Sequence, residues 1–249
     1  MTVSAAVGDT ADVPVRDGLS RIHRQTWQRL AEPGTWWDGV TRVAIAAEVR
    51  HAADCALCEM RQAALSPYAV TGTHDSLGML PEPLVDVIHR IVTDPGRLSQ
   101  SWLNGILAGG LSDAEYVETV GIIVNVLAVD QCRRGIGLDP LPLPEPRPGE
   151  PIRYRPRGAK PGPAWVPLLA PEDVDEEDAD LYPDVPLVPY VVRALSLVPA
   201  ETRAYQAIAH EQYTPAGASW DFDRKVREIT FAQLELIASK VSVLNGCFY

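Results

Sequence analysis

The sequence predicts an all-α protein, one complete helical unit followed by a partial second copy. Three observations carry this. Strand-like alternation of apolar and polar residues is hard to find. Ala, Leu, Glu and Arg dominate long proline-free text such as 35–65, TWWDGVTRVAIAAEVRHAADCALCEMRQAAL. The end of the chain also repeats, in outline, a helix from near its start.

Taken in order, residues 1–18 carry little periodic apolar signal and read as a flexible N-terminus. From Leu19 to Leu65 the text is helical. A further helix is expected from Pro83 to about Val92, and a short one over 99–108 that stops at Gly109-Gly110. The clearest lies over 113–134. Ser112 and Glu115 have capping-box spacing, Tyr116, Val120, Ile123, Val124 and Leu127 recur at helical intervals, and Arg133, Arg134 and Gly135 close it. Residues 19–138 thus form one helical unit. Residues 139–190 are proline-rich, which excludes helix and central strand and predicts an extended connection, with Trp165 and Val166 as anchors. Helical text resumes over 192–212 and 224–245, so 191–249 reads as a partial second unit. Shifted by 192 positions, Ile45, Ala46, Val49 and Cys55 fall on Ile237, Ala238, Val241 and Cys247.

Composition narrows the function. A net charge of −11 opposes a nucleic-acid partner, which needs clustered Lys and Arg. The longest apolar run falls short of the roughly 20 residues of a membrane helix. The N-terminal text lacks the basic-then-apolar order of a secretion signal, so a cytoplasmic protein is expected. Cysteines there stay reduced, and a C-x-x-C pair is then redox-active, metal-binding or simply core.

That pair is Cys55 and Cys58. In an unbroken helix, Glu48, His51, Cys55 and Cys58 fall within about 80° of one face. A cationic imidazole stabilises a thiolate, a second thiol can condense with the sulfenic acid, and Glu48 and His51 can move protons. A zinc site built from one helix face is disfavoured, because one helix cannot surround a tetrahedral ion. His74 and Asp75, in the loop GTHDS, offer an acid-base pair from outside the helix. His23, His89 and His210 stand alone and read as structural.

At these residues the chain resembles the alkylhydroperoxidase D-like, or carboxymuconolactone decarboxylase, superfamily. Residues 230–249, TFAQLELIASKVSVLNGCFY, are similar to the run-up to that family's C-x-x-C, with Glu235 at the glutamate spacing. Residues 41–58 resemble a second run-up ending in the C-x-x-C itself, and 80–137 resemble the helices that follow it. Val43 and Gln62 stand where the family has its glutamate and histidine. The resemblance implies the alkylhydroperoxidase D-like helical fold and a thiol-dependent peroxidase or disulfide reductase. Cys58 would be peroxidatic and Cys55 resolving, with no cofactor and no metal. It also implies a peroxide or other small-molecule substrate, a dithiol reductant protein as partner and a homo-oligomeric assembly. The alternatives are a non-catalytic binding or assembly module, or a non-redox enzyme of the carboxymuconolactone decarboxylase type.

Overall fold

The computed structural model describes residues 14–182, 188–215 and 221–247. The expected flexible segment 1–18 lies outside these up to residue 13, and the first helix, α1, already runs Asp17–Ala31. The protein is predominantly helical, as the sequence predicts. α2 spans Gly39–His51, α3 Ala56–Ala63, α4 Glu82–Thr93, α5 Gln100–Ala108 and α6 Asp113–Gly135. The later helices are α7 (Tyr190–Arg193), α8 (Pro199–Gln212) and α9 (Phe231–Leu244).

Local chemistry sets the helix starts. The Asp38 carboxylate accepts from the Thr41 amide at 2.7 Å, opening α2. At α6, Ser112 Oγ accepts from the Glu115 amide at 3.2 Å while Glu115 accepts from the Ser112 amide at 2.9 Å, the reciprocal pair foreseen from the spacing. α2 packs against α1, α4 and α6, burying Ile45, Ala46 and Val49 with Leu84, Ile88, Ile122 and Val126.

Three expected helices are interrupted. The run 19–65 breaks at Glu32–Asp38 and again at Ala52–Cys55, where a single 3-10 turn gives way to an extended Cys55. The run 192–212 is divided because Pro199 cannot continue a helix; it instead opens α8 at a first-turn position. The run 224–245 begins as a two-stranded antiparallel hairpin, β1 (Lys225–Val226) with β2 (Ile229–Thr230), and becomes helical only at Phe231. The Arg227 side chain at the hairpin turn donates to the carbonyls of Tyr213, Glu211 and His210, which end α8 without helical partners.

The proline-rich connection lies against the helical unit. The Arg147 amide donates to Ala31 O at 2.8 Å, the Arg153 amide to Thr35 O at 2.8 Å, and Trp27 Nε1 to Pro142 O at 2.9 Å. Val166 is buried as an anchor; Trp165 is exposed. α8 closes over α1 and α6 through a buried ion cluster. Glu201 accepts from Arg29 at 2.9 and 2.6 Å and from Arg42 at 3.1 Å, and Arg42 also pairs with buried Glu118. Gly121 of α6 makes room for Glu201, since a Cβ there would sit 2.7 Å from its Cβ and Cγ.

The two sequence copies differ in burial. Ile45 is fully buried, whereas its counterpart Ile237 is 55% exposed on α9, as are Val241 and Leu236. α9 packs mainly on the β hairpin. Glu235 accepts from the Tyr213 hydroxyl, and Cys247 is exposed.

Candidate active site

The break in the helix is what builds the site. Cys55 stands at the N-cap position of α3 and Cys58 in its first turn, both buried. The free amide of Ala56 at the start of α3 donates to Asp75 Oδ2 at 3.0 Å. A carboxylate from the 70–77 loop thus supplies the cap that the local sequence lacks, and the helix restarts there.

Two imidazoles close over the thiols. His74, from the same loop, presents Nδ1 to Cys55 Sγ at 3.6 Å and to Cys58 Sγ at 3.5 Å. His89, on α4 and fully buried, presents Nδ1 to Cys58 Sγ at 3.5 Å. The far nitrogen of each ring is held by a carboxylate. His89 Nε2 lies 2.8 Å from Glu48 Oε1, and His74 Nε2 lies 2.9 Å from Asp86 Oδ1. Ionised carboxylates only accept, so both rings carry their hydrogen on Nε2 and turn Nδ1 toward sulfur.

The carboxylates are anchored in turn. Glu48 Oε2 accepts from the Leu77 amide at 3.1 Å, and Asp86 Oδ2 accepts from Trp102 Nε1 at 2.7 Å. Arg61 Nη1 sits 3.0 Å from both Asp86 Oδ1 and His74 Nε2. A guanidinium has only donors, so Asp86 is the acceptor that Arg61 and His74 share.

These surroundings drive the two histidines apart. Burial pushes His74 down, but the Asp86 hydrogen bond and the two sulfurs outweigh it and raise its pKa to about 10. In His89, burial dominates over the Glu48 hydrogen bond, and the neighbouring His74 and His51 charges add to it, so its pKa is lowered. Burial opposes ionisation of Cys55, yet the Cys58 amide and the His74 ring together hold its thiol below the ordinary value. Asp86 resists protonation because its bonds to His74, Trp102 and Arg61 overcome burial. The thiols open on a cleft of about 450 Å³ lined by Ala53, Asp54, Glu59, Gln62, Val92 and Thr93.

Of the residues singled out in the sequence, the fold brings together Cys55, Cys58 and Glu48, the last through His89. His51, at the end of α2, stands edge-on to His89 with ring centroids 6.5 Å apart, one ring back from the thiols. His74 and Asp75 do come in from outside the helix, but divide their work: His74 faces sulfur and Asp75 caps α3. His89, which the sequence left standing alone, instead lies between Cys58 and Glu48. Its one sequence signal was the i, i+3 spacing of Asp86 and His89 on α4, although in the fold Asp86 binds His74 and His89 binds Glu48. The expectation of no metal came from the resemblance, and the separate argument against zinc weighed only the donors of one helix face. Tertiary structure adds two imidazoles from other segments, and the donor atoms of Cys55, Cys58, His74 and His89 all lie within 4.8 Å of one another.

No protein-family model, curated protein or solved structure matches this chain. The site is therefore read from its own chemistry. No described helix is long and apolar enough to cross a membrane.

Proposed function

We propose that this protein is a thiol-dependent oxidoreductase of the alkylhydroperoxidase D-like kind, reducing a peroxide through Cys58 and Cys55. The observation that carries the reading is the chain Glu48···His89···Cys58, with Cys55 three residues away and His74 facing both sulfurs. A nucleophile touching an imidazole that a carboxylate orients is the arrangement that activates thiols and hydroxyls on unrelated folds.

In this reaction His89, with Nε2–H committed to Glu48, takes the Cys58 thiol proton on Nδ1. The Cys58 thiolate attacks the outer peroxide oxygen, the O–O bond breaks, and Cys58 becomes a sulfenic acid. The departing alkoxide takes a proton from His74, which already faces the sulfurs. Cys55 then attacks the sulfenic sulfur, forming the Cys55–Cys58 disulfide and releasing water. A dithiol reductant protein returns both thiols by exchange, itself becoming a disulfide. The exposed apolar side chains of α9, Leu236, Ile237, Val241, Val243 and Leu244, supply a surface for the expected homo-oligomer.

Peroxide consumption by the reduced, metal-free protein tests this. Cys58→Ser should abolish it, and Cys55→Ser should leave one turnover and a trappable sulfenic acid. His89→Gln should lower the rate about 10²-fold or more, the usual weight of a general base. A wild-type protein no faster than Cys58→Ser would overturn the reading and leave the non-catalytic or decarboxylase-type alternatives.

A further inference from the structure

We infer that Cys55, Cys58, His74 and His89 form a tetrahedral binding site for a divalent metal ion of zinc's chemistry. This goes beyond the redox reading and does not depend on it.

The first argument is metric. Zinc binds thiolate at about 2.3 Å and imidazole nitrogen at about 2.0–2.1 Å, and in a tetrahedron those lengths place S and N about 3.5–3.6 Å apart. The three measured sulfur–nitrogen separations are 3.6 Å for Cys55–His74, 3.5 Å for Cys58–His74 and 3.5 Å for Cys58–His89. Each equals the edge of that tetrahedron.

The second argument counts hydrogens. His74 Nδ1 has at most one hydrogen but faces two sulfurs, and Cys58 Sγ has at most one but faces two rings. Hydrogen bonds alone serve the three contacts only if one N–H is shared between two sulfurs, a three-centre arrangement weaker than two separate bonds. A single cation at their centre serves all four donors at once.

The third argument lies behind the donors. Metal-bound imidazoles characteristically give their other N–H to a carboxylate, which sets the tautomer and the ring direction. Both rings do so here, to Asp86 and to Glu48, and both carboxylates are held by further donors. All four ligands are side chains of buried or nearly buried residues, with two soft sulfurs and two borderline nitrogens. That donor set selects zinc over magnesium or calcium, which take oxygen. Two thiolates neutralise the ion, so no net charge is buried by its arrival. An ion held there ties up both sulfurs, and metal binding and peroxide attack become mutually exclusive.

The test is a Co²⁺ titration of the reduced, metal-free full-length chain, followed by its visible spectrum and by back-titration with Zn²⁺. The expected result is one equivalent bound with the intense ligand-field bands of tetrahedral thiolate coordination, bleached by Zn²⁺. Cys55→Ser, which places a good capping residue at the N-cap position of α3, and His74→Gln, in a loop, should each weaken Co²⁺ binding at least 100-fold. Asp86→Asn should weaken it about 10- to 100-fold through the ring it orients. The weak spectrum of six-coordinate Co²⁺ would overturn the inference. So would His74→Gln and Cys55→Ser proteins that bind like wild type, or a zinc-loaded protein whose Cys55 and Cys58 alkylate as fast as the metal-free one. A protein that binds Co²⁺ as described but consumes no peroxide when metal-free upholds the metal site and sinks only the redox reading.

Discussion

Replacing Glu201 by glutamine tests how α8 is held to the rest of the helices. Glu201 is completely buried and receives two bonds from Arg29 and one from Arg42. Burial alone would raise its carboxyl pKa, but the two guanidiniums outweigh this and bring it from 4.5 to about 2. At about 1.4 kcal/mol per unit, that depression corresponds to roughly 3 kcal/mol of stabilisation. Losing one partner of a buried ion pair independently costs about 3–5 kcal/mol. The lower figure applies, because Glu201→Gln keeps the volume and one acceptor, Arg42 retains Glu118, and the partly exposed Arg29 can turn to water. For a chain of this size about 3 kcal/mol lowers the melting temperature by about 6–12 °C. The pH dependence has a definite sign. A carboxyl depressed in the folded state contributes fully above its unfolded value of 4.5, and the contribution fades as pH falls toward about 2. Glu118 shifts the other way, since its burial and the neighbouring Glu201 charge outweigh Arg42. Glu201→Gln removes that charge and relieves part of the Glu118 shift, which offsets some of the loss in the variant. Thermal denaturation from pH 7 down to pH 3 reads this directly. A difference below about 2 °C at pH 7, or one that stays constant down to pH 3, would refute the reasoning.

Asp75→Ala removes the distant cap of α3 and should cost about 1 kcal/mol, or about 2–4 °C, while leaving the far-UV helical signal of the other helices. An unchanged melting temperature would show that Asp75 does not terminate the break before Cys55. A bulky maleimide should label exposed Cys247 first and half-buried Cys132 slowly, since burial raises the Cys132 thiol pKa. Cys55 and Cys58, almost without exposed surface, should resist the bulky reagent while remaining open to hydrogen peroxide through the cleft. Peptide mass mapping with Cys58 labelled ahead of Cys247 would contradict the burial on which the site is built.

The sequence by itself determined what depends on neighbours along the chain. The capping box at Ser112 and Glu115 and the 3.6-residue rhythm of α6 are short-range effects present in the fold. So is the exclusion of α-helix from the described residues of the proline-rich connection before α7, where only two single 3-10 turns form. Cys55 and Cys58 were also legible, because a C-x-x-C spacing needs no tertiary information to stand out. Where the chemistry came from far along the chain, the text was silent. Helix propensity runs through Ala52–Asp54 without a breaker, and the interruption there accompanies a carboxylate 19 residues from the amide it caps. Arg227, ending α8 from within the hairpin, and Glu201, inserted between two arginines, act in the same long-range way. His89 read as a lone residue because nothing near it in sequence was its partner; α4 sets it against Cys58, and α2 sets Glu48 against its other face. Only the tertiary structure decided the site, because the groups around the two sulfurs of the α3 start come from three other segments, α2, the 70–77 loop and α4, and their convergence is a property of packing rather than of any one helix.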